Sequence, residues 1–289
     1  TFEALEPRLL LAGDTPAPIA GEIEVPGETD RFSFSLTQPK KIVFDSLTAN
    51  SGLYWSLANQ RGTLVSSRGF VNSDGYNIGG GNMLSLQAGE YVLSVDGATD
   101  ATGAYAFRLI DLDNADTFTP GEVVSDQMLA NRTALYRFDA AAGESFFFDA
   151  HTSPSETVSW RLLGPDGEFI TGPNGWNDQG PFQLGRTGSY TLEVEGYVYN
   201  NPANTISYSF TFGRISQTSA ALTVNELTTG RIATAGSRTV FDFDLAADSR
   251  VLFDSLNRLD QFRWSLSGPK GTVISNRSWN NSDSYSGEP

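Results

Sequence analysis

Acidic and amide side chains recur in this chain at fixed distances from a repeated tryptophan, and they hold its clearest chemical potential. Asp45, Asp149 and Asp254 each follow a phenylalanine, in Val43-Phe44-Asp45, Phe147-Phe148-Asp149 and Leu252-Phe253-Asp254. Asp74, Asp178 and Asp283 lie 19, 18 and 19 residues after Trp55, Trp160 and Trp264, with Asn72, Asn177 and Asn281 close by. Clusters of hard oxygen donors suit a calcium ion. These six aspartates are therefore the candidate metal ligands, and Ca2+ is the cofactor candidate. The plainer reading is that Asp and Asn close turns by bonding their own backbone. A further acidic group, Asp111, Asp113, Asn114 and Asp116, falls between two repeats. It reads as a polar linker, or as a cation site that would stiffen one.

Aromatic side chains supply a second candidate chemistry. Phe70, Trp176 and Trp279 lie 15, 16 and 15 residues after the repeated Trp. In a polar loop such as Asn174-Gly175-Trp176-Asn177-Asp178, an indole can stack on a sugar, or it can cap the open end of a sandwich. Catalysis has little to build on. The single histidine, His151, lies near Asp149 and several serines. Leu47 and Leu256 hold its place in the other two copies, so those surroundings are built without an imidazole. No Gly-x-Ser-x-Gly elbow, phosphate loop or His-Glu-x-x-His string occurs. Glu193 and Glu195 sit on an outward strand phase, where carboxylates are ordinarily solvated. No enzyme is expected.

These residues must be positioned by a repeated module. Trp55, Trp160 and Trp264 are 105 and 104 residues apart, each followed by Leu at the second position and by Gly at the seventh. A period of domain length implies tandem units. The boundaries fall at residues 14–113, 116–216 and 219–289, with a separate N-terminal tail over 1–13. Within each unit apolar residues alternate with polar ones, as in Leu53-x-Trp55-x-Leu57 and Val158-x-Trp160-x-Leu162, the signature of strands with one face in a core. Ser159 and Arg161 then face outward. Seven or eight short strands per unit, with turns such as Gly164-Pro165-Asp166-Gly167, make an antiparallel β-sandwich. The third copy has Phe253-Asp254 and Phe262-x-Trp264-x-Leu266, but no Gly-x-Tyr-x-Leu-x-Val strand after them. It is expected to be incomplete, the least ordered, and open at a sheet edge.

Composition agrees. Hydrophobic residues make up 39% of the chain, there is no Cys, and the net charge is −15. The negative charge argues against nucleic acid and anionic membranes, which need a basic footprint. Without Cys no disulfide or thiolate metal site can form, and no apolar run is long enough for a spanning helix.

With these residues in view, the modules resemble the bacterial pre-peptidase C-terminal domain family. The resemblance rests on Asp30-x-Phe32, Gly62, Leu84-Ser85-Leu86, Gly89-x-Tyr91-x-Leu93-x-Val95 and Gly103-x-Tyr105-x-Phe107. In the second module it rests on Gly167, Gly188-x-Tyr190-x-Leu192-x-Val194 and Tyr208-x-Phe210. It implies jelly-roll-like sandwiches on secreted proteins, used for attachment to substrate or surface and sometimes binding calcium. Leu53-Tyr54-Trp55 and Val158-Ser159-Trp160 stand where that family has acidic residues, a departure that weighs against its calcium site. The tail Leu5-Glu6-Pro7-Arg8 followed by Leu10-Leu11 resembles the LEPR-XLL motif of very large exported bacterial proteins.

The expectation is therefore an all-β chain of tandem antiparallel jelly-roll-like sandwiches, the third copy truncated. It would be a non-catalytic structural or adhesive region of a large secreted or cell-surface bacterial protein, covalently joined to the rest of that parent. A surface glycan or extracellular polymer is the expected partner, without nucleic acid or membrane insertion. The alternatives are a carbohydrate-binding array using Phe70, Trp176 and Trp279, or an accessory region of a secreted hydrolase.

Overall fold

The computed structural model describes residues 16–73, 78 and 82–282; the LEPR-XLL-like tail lies outside them. The chain forms two compact units, one of residues up to 219 with 229–240, the other of 220–228 with 241 onward. Among the described residues no helix is long and apolar enough to cross a membrane.

The first sandwich is built from β1 (Ile19–Ile23), β2 (Thr29–Leu36), β3 (Lys40–Ser46), β4 (Leu53–Asn59), β5 (Gly62–Gly69), β6 (Met83–Leu86), β7 (Gly89–Gly97) and β8 (Gly103–Asp111). Its sheets run β2-β7-β4-β5 and β1-β8-β3-β6. Phe32, Phe34, Ile42, Phe44, Trp55, Leu57, Tyr91, Leu93, Val95, Tyr105 and Phe107 close between them as one core. Alternation dictates this: every second side chain of a strand points to the same face.

The second sandwich repeats the plan with β9 (Asp116–Thr117), β10 (Val123–Leu129), β11 (Thr133–Ala140), β12 (Ser145–Ala150), β13 (Val158–Leu163), β14 (Phe169–Gly175), β15 (Gln179–Gln183), β16 (Gly188–Gly196) and β17 (Thr205–Arg214). Its sheets are β14-β13-β16-β11-β9 and β10-β17-β12-β15. Except for the short parallel pair of β9 with β11, its strand pairs are antiparallel. The core holds Tyr136, Phe138, Phe146, Phe148, Trp160, Leu162, Tyr190, Leu192, Val194, Tyr208, Phe210 and Phe212. Gly97 and Gly196 end the equivalent strands β7 and β16. A Cβ at either would overlap a carbonyl oxygen, that of Ala101 or of Ala130.

The two sandwiches are not spaced apart. Sheet β1-β8-β3-β6 of the first lies against sheet β14-β13-β16-β11-β9 of the second. Val43, Ile110, Leu112 and Ala115 pack there with Leu135 and Leu163, and Met83 leans on them. Strands β13 and β16 are accordingly buried on both faces. The two modules thus form four layers of sheet, with two cores and a seam between them.

The third copy contributes β18 (Gln217–Ala221) with β19 (Arg238–Asp242), and the hairpin β20 (Arg263–Gly268) with β21 (Gly271–Ser278). Each pair is a two-stranded sheet of its own.

Candidate functional site

The repeated Phe, Trp and loop aromatic form one ring cluster in all three copies. Phe44 stacks on Trp55 at 4.0 Å between centroids, with Phe70 edge-on to Phe44 at 5.7 Å and 74°. Phe148 stacks on Trp160 at 4.4 Å, with Trp176 edge-on at 5.3 Å and 84°. Phe253 stacks on Trp264 at 4.1 Å, with Trp279 edge-on at 5.2 Å and 89°. Offset stacks and edge-to-face contacts are the favoured aromatic geometries. Phe70 is fully buried, so it presents no face to a sugar. Trp176 is half-buried against Phe148, Tyr208 and Phe210, and Trp279 is half-buried against Phe253 and Phe262. The three loop aromatics are the third ring of each cluster, and this packing takes most of the indole surface that stacking on a sugar would need.

The loop beyond each cluster has a fixed geometry as well. Trp55 Nε1 donates to Ser73 Oγ at 2.6 Å, and that hydroxyl donates to Gly69 O at 2.8 Å. Trp264 Nε1 donates to Ser282 Oγ at 2.6 Å, and Ser282 donates to Ser278 O at 2.7 Å. In the second copy position 178 is aspartate, and the buried Trp160 Nε1 has no partner among the described residues. Twelve residues after each Trp the strand bulges through a positive φ, at Ser67 (44°), Gly172 (122°) and Asn276 (50°).

The aspartates meet three different fates. Asp45 is buried in the seam, where Arg108 Nε donates to its Oδ2 at 2.5 Å and Thr133 Oγ1 to its Oδ1 at 2.9 Å. A guanidinium thus holds the place a cation would take. Asp149 is half-buried beside His151, with 3.3 Å from its Oδ2 to Nε2. Asp178 is exposed and accepts from Ala150 N, and Asp254 is exposed. Asp74 and Asp283 lie outside the described residues. Among those described, no group of three His, Asp or Glu side chains is placed to hold a metal. At the junction, Lys40 Nζ sits 2.8 Å from Asp111 and 2.6 Å from Asp113. Asp111 also caps the short 3-10 turn Leu112–Asn114 through Asp113 N. The acidic linker is therefore closed by a lysine.

His151 Nε2 meets both Asp149 Oδ2 and Thr211 Oγ1, the latter at 3.1 Å. A relay of the serine-hydrolase kind uses the two ring nitrogens separately, one toward the carboxylate and one toward the hydroxyl. Here a single nitrogen faces both.

The seam is the most distinctive chemistry in the molecule, and the outward strand phase concealed it. Glu193, Glu195, Arg161 and Ser159, expected to meet solvent, are all buried, because a second sheet covers that face. Asn82 Nδ2 donates to Glu193 Oε1 at 2.6 Å, and Arg161 Nε stands 3.6 Å from the same oxygen. Arg108 Nη2 crosses to donate to Thr133 O at 2.8 Å, Asn131 Nδ2 donates to Leu47 O at 3.3 Å, and Lys41 Nζ donates to Pro165 O. Burial, reinforced by the neighbouring Glu195 charge, pushes the Glu193 carboxyl up to about 8 against the pull of Arg161. The sequence did carry one signal. Val43, Ile110, Leu135 and Leu163 are apolar on the same outward phase as these charges, and a solvated face would not hold them.

No family model matches the chain, and no curated protein is similar to it. Among solved structures the chain is similar to the CUB1-EGF-CUB2 domain of human MASP-1/3, at 11% identity over 67% of this chain and 99% of that one, with a TM-score of 0.21. It is also similar to the CUB1-EGF-CUB2 domains of rat MASP-1, at 8% identity over 72% of this chain and 99% of that one, with a TM-score of 0.22.

Proposed function

We propose that this chain is a non-catalytic structural and adhesive repeat region of a large secreted or cell-surface bacterial protein. Its sandwiches would stack directly into a stiff spacer. What supports this reading is the polarity of the seam. The first sandwich contributes the sheet containing its Phe-Asp strand β3, and the second contributes the sheet containing its Trp strand β13. The contact is head-to-tail, so the same operation leaves the Phe-Asp sheet of the second sandwich, β10-β17-β12-β15, facing away from the seam. Head-to-tail contacts leave an unused face at each end, which is what a linear array of modules requires. Attachment to a surface polymer and descent from the pre-peptidase C-terminal family belong to the same proposal.

The test is a distance distribution between spin labels at exposed positions 92 and 207 of the whole protein. A stiff spacer gives one narrow distance, unchanged in viscosity or salt. A broad distribution, as from beads on a flexible string, rejects it. Protease shaving of intact cells that express the natural protein checks the surface location.

A further inference from the structure

The connection from β16 to β17 carries two tyrosines that the strand plan does not require. Tyr197, Val198, Tyr199 and Asn200 follow Gly196 directly. Val198 and Asn200 are turned in, at 2% and 8% exposed, while Tyr199 is turned out, at 52%. Tyr197 is half-buried. The two ring centroids are 5.1 Å apart and the planes are inclined at 53°, so Tyr197 stands beside Tyr199 as a wall beside a floor.

The backbone under the rings is fixed. Tyr197 N donates to Thr157 O at 3.2 Å, and Asn200 N donates to Tyr197 O at 2.8 Å. Asn200 Nδ2 donates to both Ala130 O and Thr157 O at 2.8 Å. Further on, Asn204 N donates to Asn201 O at 3.0 Å, and Asn204 Nδ2 donates to Glu156 Oε1 at 2.5 Å. The first module makes the same turn after Gly97. Ala98 N donates to Gly52 O and Ala101 N to Ala98 O, both at 2.9 Å. Ala98 and Asp100 hold the places of the two tyrosines there. The turn is therefore built without them, and Tyr199 keeps a ring face toward solvent on a rigid loop.

We infer, building on the adhesive reading above, that Tyr199, flanked by Tyr197, is the contact for a neutral polysaccharide and stacks on the apolar face of one pyranose ring. Tyrosine offers a large, rigid, amphipathic surface with little side-chain entropy to lose. A sugar presents C–H groups on its face and hydroxyls around its edge. The exposed amides of Asn201 and Asn204, in the same loop, suit those hydroxyls. A peptide is the poorer match. The N–H groups of Tyr197, Asn200 and Asn204 are already bonded within the module, which leaves little backbone for strand addition. An acidic polymer is disfavoured by the net charge of −15 and by Glu156 at the loop.

The experiment is titration calorimetry of the whole protein with cellohexaose, mannohexaose and xylohexaose, and with an oligomannuronate and decaproline as the acidic and peptide arms. At least one neutral oligosaccharide is expected to bind. Its Kd should rise about tenfold or more in Tyr199→Ala and in Tyr199→Asp, and Tyr199→Phe should keep the affinity. Tyr199→Asp carries the residue the first module has in this turn, and an unchanged urea midpoint in each variant confirms that the fold is intact. Binding of none of the three neutral oligosaccharides overturns the inference, as does binding of the oligomannuronate or decaproline alone. Equal binding by Tyr199→Ala overturns this site while leaving the adhesive reading standing. Failure of the adhesive reading shows separately, as resistance to shaving from the surface of intact cells.

Discussion

Replacing Arg108 by Met should weaken the first unit severely, and replacing Asp45 by Leu in the same chain should restore most of the loss. The two side chains are 2% and 0% exposed and 2.5 Å apart. Removing the guanidinium strands a buried carboxylate with only Thr133 Oγ1 as a side-chain donor. Breaking one side of a buried ion pair costs about 3–5 kcal/mol. At an m-value of about 2–3 kcal/mol/M in urea, the midpoint falls by about 1–2.5 M. The double variant removes both charges and leaves Thr133 to lose two hydrogen bonds, a residual cost of about 1–2 kcal/mol. The assay is urea unfolding of the whole chain by tryptophan fluorescence, with hydrogen exchange at residues 40–46 and 103–111 assigning the transition. A shift below about 0.3 M for Arg108→Met would mean that water reaches Asp45 and the seam is not closed. A double variant no more stable than the single one would refute the pairing itself.

The seam also makes stability depend on pH. Glu193 faces Glu195 on its own strand, Arg161 on β13 and Asn82 before β6, with Asp45 near enough to repel it. Its carboxyl titrates at about 8 when folded, against 4.5 for the free group. Between those values the folded state holds the extra proton, so stability falls as pH rises through that window. Glu193→Gln should flatten this slope, as read from thermal midpoints between pH 5 and pH 9. Trp176→Ala should lower stability by about 2–3 kcal/mol, because a half-buried ring leaves a hole beside Phe148 and Phe210. Glycan binding, if measured on an array, should not track that substitution. Melting with millimolar calcium and with EDTA should give the same midpoint, since Arg108 already neutralises Asp45 and Lys40 already bridges Asp111 and Asp113.

The strand plan was readable because alternation and the Trp period are local signals. Leu53-x-Trp55-x-Leu57 and Val158-x-Trp160-x-Leu162 place their apolar sets in the cores by phase alone. Position in a loop left two readings of the loop aromatics open, stacking on a sugar or capping the sandwich. Phe70, Trp176 and Trp279 sit in polar stretches, yet each chain turn folds its ring back onto the repeated Phe. The seam was hidden for a physical reason. Phase tells which face a side chain occupies and nothing about what covers that face. Arg161 and Glu193 look the same in a sequence whether water or a second sheet lies beyond them.

The polar character of the seam bears on how the chain survives its own synthesis. The first sandwich is complete before the strands that will cover its outer sheet have been made. Were that sheet wholly greasy, it would meet the crowded interior of a cell as a bare sticky plane, the kind of surface that drives early aggregation. With Asp45, Arg108 and Lys41 among its Val43 and Ile110, the waiting half stays wettable. It becomes dry only when the matching sheet arrives with Thr133 and Pro165 to receive those charges. A little final stability is exchanged for safe passage through the half-made state.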